Sequence, residues 1–408
     1  MSAKSRTIVC LSSQPWQDGM WTNKQHIMSR LAAEHRVYYV EPGSIPVARR
    51  YSELSRSRRG RRSVLPGLLD PDHKVVDGVN VLRFTRLVPG FVMQLDPASP
   101  ARIFGDFDVR LRLLRRFLER ESIRDSIVWV YHPGYGRGAL DLPHRLAVYD
   151  CVDEYTEFPL YRESPAWLSS REEALCRNAD LVFTTSEQLF ESKRGYNPDN
   201  TYLVHNVGDT AHFRTADDDA TSVPADVARL PKPVVGFVGA VSPYKLNLEW
   251  IAHLAREKPG WSIVLVGPVG VGEEGASVER ISKLPNVHLF GHRPYQSLPG
   301  YVRGFDVAVI PYVRSSYTES CFPIKFFEFL ASGRPVVISD LPALAAYFDA
   351  VGVARTADEF VERCVRAVDE PENGKVRRIA LATENDWSSR IAKLMEPIER
   401  RLSMSDER

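Results

Sequence analysis

The chain has 408 residues, 44% hydrophobic and 26% charged, which is an ordinary globular composition with enough length for two or three domains. Its 53 lysines and arginines balance its 52 acidic residues, so no net field favours nucleic-acid binding. The five scattered cysteines lack metal-binding spacing and predict a reduced, cytoplasmic location. The apolar run after Lys4 and Arg6 is too short for a signal peptide, and no long apolar run predicts a membrane span.

Short apolar runs alternate with helical periodicity along most of the chain, which is typical of parallel sheets covered by helices on both faces. In the first half this pattern predicts one doubly wound domain with helices near residues 24–33 and 167–177. Its predicted strands are residues 7–11, 36–40, 79–84, 127–131, 147–151, 181–184 and 201–204.

An arginine-rich segment, Arg49 to Arg62, interrupts the first half beside apolar residues. Basic and apolar residues together suit the surface of an anionic membrane, where each positive charge contributes on the order of 1 kcal/mol. They suit a solvated loop equally well. Peripheral contact with the inner face of a membrane is therefore one of two interpretations.

The second half repeats the α/β pattern after a polar stretch, residues 209–232, that predicts a linker. Residues 377–402 predict an amphipathic helix long enough to pack back on the first domain. The predicted strands are residues 234–238, 262–266, 287–290, 307–310, 335–338 and 351–353. We expect domains over 1–207 and 233–376, a linker over 208–232, a C-terminal helix over 377–408, and a ligand in the cleft between the domains.

The segment ESCFPIKFFEFLASGRPVVI, residues 319–338, predicts a helix that begins at about Pro323 and ends at Gly333. Free N–H groups at the start of such a helix can hold an anion. Lys325 opposes the helix dipole in the first turn, and a bound phosphate would explain its presence. Glu328, one turn later on the same face, is within reach of an attached ribose. The alternative is a capped amphipathic helix with no ligand.

An earlier segment, VVGFVGAVSPYKLNLEWI, predicts a buried strand through Val238, a loop at Gly239 and Ala240, and a helix that begins near Leu246. Glycine allows close backbone approach to a phosphate, and Lys245 adds a positive charge beside it. Taken alone, the glycine is as well explained by a simple turn.

Residues 234–251 precede residues 319–338 in the chain. In that order, the two segments resemble the donor site of GT-B glycosyltransferases of the large retaining group 1 class, especially the branch of cell-surface polysaccharide and teichuronic acid pathways. The resemblance implies two doubly wound Rossmann-like domains with an interdomain cleft and a C-terminal helix that crosses back. The signature PxKxxEYLAxGxPVV stands here as Pro323, Lys325, Glu328, Phe329, Leu330, Ala331, Gly333, Pro335, Val336 and Val337.

The resemblance also implies roles for individual residues. It places ribose on Glu328, the donor diphosphate on Lys245 and Lys325, and the nucleobase near His292 and Arg293. The loop after the first strand of this second domain, Gly239 and Ala240, belongs to the same donor site. Backbone amides from a three-residue segment would hold the distal phosphate, and these residues are Ser320, Cys321 and Phe322. The wider class has two glutamates eight positions apart, and the first of these positions is Ser320 here.

In the first half, the segment 12–32 matches the glycine loop and first helix that face the acceptor in this fold, with Gly19 and Trp21 as the candidate residues. His132 follows a predicted strand at a position that faces the cleft in the family, and a turn residue is the alternative. Asp153 also follows a strand, and a helix cap is its alternative.

The expected function is transfer of a sugar from a nucleotide-diphosphate donor to a glycan or lipid-linked acceptor, with retention of configuration. UDP-sugar is the first expectation, and GDP- and dTDP-sugars are alternatives. Lys245, Lys325 and His132 are the candidate catalytic residues, and no metal or other cofactor is expected. A nucleotide-sugar epimerase or hydrolase and a non-catalytic binding module are the rival interpretations.

Overall fold

A computed structural model describes residues 5–17, 21–42, 45–46, 69–86, 107–161, 165–270, 277–371 and 373–406. Gly19 and the segment Arg49 to Arg62 lie outside these residues, so the predictions made for them stay predictions. The described strands are β1 (Thr7–Leu11), β2 (Arg36–Val40), β3 (Ile45–Pro46), β4 (Asp72–Val76), β5 (Val79–Arg83), β6 (Thr85–Arg86), β7 (Ser126–Val130), β8 (Leu146–Cys151), β9 (Leu181–Thr184), β10 (Thr201–Leu203), β11 (Val234–Val238), β12 (Ser262–Val266), β13 (Val287–Gly291), β14 (Val307–Ile310), β15 (Val336–Ser339) and β16 (Gly352–Ala354).

The helices alternate with the strands through most of the chain. Short 3₁₀ segments join them at Pro133–Asp141, Tyr155–Glu157, Pro159–Tyr161, Thr215–Asp217, Tyr295–Ser297 and Pro342–Ala350. The described α-helices are α1 (Asn23–Leu31), α2 (Phe107–Arg120), α3 (Pro165–Asn178), α4 (Glu187–Arg194), α5 (Thr210–Arg214), α6 (Ala225–Ala228), α7 (Leu248–Glu257), α8 (Glu279–Ser282), α9 (Leu298–Arg303), α10 (Ser316–Glu319), α11 (Lys325–Ala331), α12 (Ala357–Val368), α13 (Asn373–Thr383) and α14 (Trp387–Asp406).

The described residues of the first half form an eight-stranded sheet in the order β10-β9-β8-β7-β1-β2-β5-β4. All its pairs are parallel except β4 with β5. The parallel strands are continuous apolar runs because helices cover both faces. The strand that follows β1 in the chain lies on one side of the β1–β7 pair, and the strand that follows β7 lies on the other side. This reversal creates a crevice at the carboxyl ends of β1 and β7.

The edge strand β4 was missed because its sequence, DHKVV, has no apolar run, and its central residues are exposed. A tight turn at Asp77 and Gly78 joins it to β5, and both residues have positive φ, 50° and 80°. Two positive φ values are the signature of a hairpin turn whose twist matches that of the strands.

The second half forms a six-stranded parallel sheet of described residues in the order β13-β12-β11-β14-β15-β16. Its reversal lies between β11 and β14, so the carboxyl ends of these two strands border a second crevice. Gly236 in β11 is required by packing, since a Cβ atom there would lie 2.3 Å from the ring of Phe305. The α/β fold with two Rossmann-like sheets is therefore confirmed.

The polar stretch between the sheets is more ordered than a linker. It contains α5 and α6, and Phe213 and Val227 are buried in the core of the second sheet. Its polar composition hid these two anchoring residues. The predicted boundaries of the domains themselves stay predictions.

The prediction of one continuous helix over 377–402 was wrong, because α13 and α14 are separate helices. Ala382 of α13 packs in the core of the second domain, whereas Trp387 and Leu394 of α14 pack in that of the first. The break lets the chain cross back, and Asp386 starts α14 by accepting a bond from the Ser389 N–H at 2.8 Å.

Candidate active site

A cavity of about 210 Å³ lies between the two domains, at the carboxyl ends of β8, β11 and β14. The first domain contributes the start of α1 and the segment after β8. The second contributes the loops after β11 and β14 and the start of α11. The charged residues that line it in the described part of the chain are Lys24, Lys245, Lys325, Asp153 and Glu328. Three ammonium groups from two domains thus face one cavity.

Glu328 is held in place by α11, which is apolar on its other faces. The helix ends as predicted at Gly333, whose φ of 74° is in the left-handed region. Glu328 is 8% exposed, and the backbone of Asp209 donates a hydrogen bond to its carboxylate. Burial raises the pKa of Glu328 to about 8, although nearby Lys325 acts in the opposite direction. Below that pH the carboxyl group is mostly protonated.

Gly239 makes room for Lys325. Its φ is 148°, and a Cβ atom there would lie 2.8 Å from Cε and 3.2 Å from Nζ of Lys325. The ammonium group lies 5.6 Å from the centre of the Phe237 ring and 5.8 Å from that of Tyr312. It makes no hydrogen bond or ion pair with any described residue. Lys325 is therefore free to bind an anion, next to Gly239 and Ala240, which also line the cavity.

Lys245 enters the cavity from the loop before α7. Its Nζ lies 3.5 Å from the sulfur of Cys321, and the rings of Tyr312 and Tyr317 lie 5.1 and 5.4 Å away. Burial alone would lower the pKa of Lys245, but Cys321 first, and then two tyrosines and Asp153, raise it overall. Lys245 therefore keeps its charge near neutral pH.

Of the three successive amides predicted to hold a phosphate, two bond within the chain. The short helix α10 ends immediately before them, and the N–H groups of Ser320 and Cys321 both bond to the Thr318 carbonyl. Ser320 is 1% exposed and does not line the cavity. Of the three residues, Cys321 and Phe322 do line it. Only the Phe322 amide has no acceptor within the described residues.

Trp21 and Asp153 both line the cavity from the first domain. The ring of Trp21 stacks with that of Tyr295 of the second domain, with centroids 6.0 Å apart and planes 18° apart. Asp153 accepts a hydrogen bond from the Tyr317 hydroxyl at 3.1 Å. Both residues thus contact the opposite domain across the cleft.

His132 is placed away from the cavity wall, and its geometry favours the turn interpretation over a catalytic role. It caps a 3₁₀ segment, and its Nδ1 accepts a bond from the Gly134 N–H at 2.9 Å. Its Nε2 lies 2.7 Å from the Tyr161 hydroxyl, so both ring nitrogens are occupied. Burial, together with nearby Lys24, lowers its pKa to about 3, and the ring is therefore neutral.

The predicted base-binding residues, His292 and Arg293, do not line the cavity. His292 is exposed, and Arg293 donates to the Tyr301 hydroxyl at 2.6 Å and pairs with Asp226 at 3.2 Å. The next aromatic residue, Tyr295, lines the wall instead. A base-binding role for this loop stays a prediction.

Sequence reasoning missed Lys24, Tyr295 and Asn206, which all line the cavity. Asn206 connects three parts of the chain. Its amide donates to the Phe322 carbonyl at 2.7 Å, and its oxygen accepts from Asn23 at 2.9 Å and from Arg390 of α14. The sequence signal was a polar residue two positions before the predicted linker.

Two findings concern other classes of site. Within the described ranges, no three His, Cys, Asp or Glu side chains are grouped as metal ligands would be. The helices of the same ranges include none with the length and hydropathy needed to cross a membrane.

Comparison with known proteins agrees with this geometry. Residues 232–370 match the model of the family described as glycosyl transferases group 1. Over 284 residues, the chain is 25% identical to TuaH of Bacillus subtilis (strain 168), a glycosyltransferase with a predicted role in teichuronic acid biosynthesis. The match covers 66% of this chain and 70% of that relative.

Solved structures share the whole fold at low identity. Sucrose-phosphate synthase from Thermosynechococcus elongatus superposes with a TM-score of 0.68 and 16% identity, over 98% of this chain and 100% of that one. A UDP-forming α,α-trehalose-phosphate synthase from Burkholderia xenovorans gives 0.69 and 13%, over 98% and 99%. The solved structures thus show that the chain has the GT-B fold, and the family match shows that its second domain resembles the glycosyl transferases of group 1.

Proposed function

We propose that the chain transfers a sugar from a nucleoside diphosphate sugar, UDP-sugar first, to a hydroxyl group of a glycan or lipid-linked acceptor. The observation that carries the proposal is the convergence of Lys24, Lys245, Lys325 and Glu328 on one interdomain cavity. Diphosphate needs concentrated positive charge in a site that water only partly enters. Ribose needs a hydrogen-bonding carboxyl group beside it, and Glu328 lies one turn from Lys325.

The charges of the cavity match those of a donor. With Glu328 protonated below about pH 8, three lysines face the single carboxylate of Asp153. The surplus is two positive charges, and the diphosphate of a bound donor carries two negative ones. Binding of the donor therefore neutralises the cavity, which is the condition for holding a charged ligand away from bulk water.

The transfer step breaks the bond between the anomeric carbon and the distal phosphate oxygen, and the electron pair stays on that oxygen. The acceptor oxygen forms its bond to the anomeric carbon from the same face, so configuration is retained. The acceptor proton passes to the departing phosphate oxygen. Lys245 and Lys325 stabilise the charge on the leaving group, and this preorganised arrangement requires no separate protein base.

The acceptor would approach from the first domain, past Trp21 and Asp153, which line that side of the cavity. The likeness to TuaH, named for teichuronic acid biosynthesis, favours an acceptor in cell-surface polysaccharide synthesis. The UDP-forming reaction in the name of the Burkholderia structure favours UDP as the product nucleotide. We propose no metal in this reaction, because Lys245 and Lys325 supply the charge that a metal would supply.

Ser320 favours a second candidate, a sugar-nucleotide-binding module without transferase activity. It stands where the resemblance expects a glutamate near the transferred sugar, and it is buried, with its hydroxyl donating to the Ser316 carbonyl at 3.0 Å. A residue so engaged does not contact the sugar.

A two-part experiment separates these functions. Thermal shifts with UDP-, GDP-, dTDP- and ADP-sugars identify the donor, because a ligand of the native state raises its apparent stability. Incubation of that donor with and without polysaccharide acceptors then tests the reaction. Acceptor-dependent release of nucleotide supports the transferase. Stoichiometric conversion of donor alone indicates an epimerase or hydrolase, and binding without any turnover indicates the module.

A further inference from the structure

Lys24 is a buried lysine on the first-domain side of the cavity, whereas Lys245 and Lys325 belong to the second domain. It is the second residue of α1 and is only 5% exposed. Its Nζ lies 5.6 Å from the centre of the Tyr131 ring and makes no hydrogen bond or ion pair with any described residue. A buried ammonium group without an anionic partner is costly, so its retention in a cavity wall points to a ligand.

The backbone beside Lys24 also favours an anion. Because α1 begins at Asn23, the N–H groups of its first turn lack acceptors within the helix. Thr22, Asn23 and Lys24 all line the cavity, so this positive helix end faces the same space as the ammonium group. Thr22 and Gln25 form a capping box that fixes the start of the helix.

Lys24 and Lys245 come from different domains, and their positive charges repel each other. Among the charges that affect Lys24, Asp153 and Asp150 favour its ionised form, whereas Lys245 opposes it. Burial is the largest influence and lowers the pKa of Lys24. An anion between Lys24 and Lys245 would remove the repulsion between these two residues.

We propose that the Lys24 ammonium group binds the distal phosphate of the donor and stabilises the negative charge that develops there as the glycosidic bond breaks. This inference rests on the proposed function. In the bound donor, the two negative charges of the diphosphate equal the surplus of the three lysines over the carboxylate of Asp153. As the bond breaks, and before the acceptor proton reaches the distal phosphate oxygen, the electron pair adds a third negative charge there, and Lys24 faces that charge from the acceptor-side domain.

The consequence is a difference between two ligands. A nucleoside diphosphate carries the third charge, whereas the corresponding nucleotide sugar does not. Loss of Lys24 should therefore weaken binding of the diphosphate more than binding of the sugar nucleotide. Loss of Lys245 should weaken both, because that residue matches a charge that both ligands carry.

The test uses Lys24→Met, Lys24→Gln, Lys24→Arg and Lys245→Met, with Lys393→Met on the exposed face of α14 as the matched control. Calorimetric titration with UDP and UDP-glucose measures both affinities, and the GDP, dTDP or ADP pair replaces them if the wild type prefers it. We expect Lys24→Met to lose about tenfold in UDP affinity and less than about threefold in UDP-glucose affinity. Its kcat should fall about a hundredfold, and Lys24→Arg should restore most of both.

Equal losses for the two ligands, or no loss, in folded Lys24→Met or Lys24→Gln would overturn the inference. A raised KM for the acceptor with unchanged UDP affinity would also overturn it, because Lys24 would then recognise an acid on the acceptor. If the wild type binds none of the diphosphates, the proposed function itself fails. Melting temperatures identify any variant that is misfolded, and the other substitution then decides.

Discussion

The most specific prediction concerns Glu328→Gln, which replaces a buried carboxyl group by a neutral group of the same shape. The folded-state pKa of Glu328 is about 8, against an ordinary value of 4.5. A raised carboxyl pKa means that ionisation favours the unfolded state. The destabilisation is absent below about pH 4.5, grows as pH rises, and levels off above about pH 8.

The size of this effect follows from the shift. Each pH unit between the two pKa values contributes about 1.4 kcal/mol. Ionisable Glu328 therefore costs on the order of 3 kcal/mol at pH 7 and on the order of 5 kcal/mol above pH 9, as upper limits. The variant should be as stable as the wild type near pH 4.5 and more stable by an increasing margin up to pH 9.

Urea unfolding of both proteins without ligand, at pH values from 5 to 9, measures the margin. Glu257→Gln, an exposed glutamate of α7, is the control and should show no such trend. A margin that does not depend on pH, or a variant that becomes less stable than the wild type at pH 9, would refute the assignment of Glu328 as a buried carboxyl group with a raised pKa.

Three further predictions follow from single contacts. Gly239→Ala places a Cβ atom 2.8 Å from Lys325 Cε, so nucleotide affinity measured by calorimetry should fall at least tenfold; unchanged affinity would show that Lys325 does not bind the nucleotide. Lys325→Met should lower kcat about a hundredfold in steady-state assays without lowering the melting temperature, and near-normal turnover would remove Lys325 from the mechanism. Arg390→Met leaves the Asp150 carboxylate buried without its partner, 3.7 Å away, and should cost about 3–5 kcal/mol of unfolding free energy. The exposed Arg400→Met is its control, and an equal effect of the two would contradict the pairing.

The arrangement of the strands was predictable because buried parallel strands are continuous apolar runs. The runs of β1, β11 and β12 were found with their observed limits, and Gly333 was recognised as a helix end. The polar edge strand β4 and the break before α14 were missed because neither has an apolar signal. Both depend on contacts that form only in the folded chain.

The candidate site divides in the same way. Lys245, Lys325 and Glu328 could be found because they belong to short motifs whose residues are neighbours in sequence. Lys24 could not, because its importance depends on burial opposite residues that are distant in the chain. His132 was a catalytic candidate because it follows a strand, but a position at a strand end does not reveal which hydrogen bonds a side chain makes. In the structure both ring nitrogens of His132 have partners.

The central claim is that the diphosphate of the donor binds between Lys245 and Lys325, with the ribose at Glu328. A crystal structure of the full chain with the preferred nucleoside diphosphate measures this directly. We expect phosphate oxygens within hydrogen-bonding distance of both ammonium groups and a ribose hydroxyl on the Glu328 carboxyl group. Nucleotide bound anywhere else, with the interdomain cavity containing only water, would contradict it.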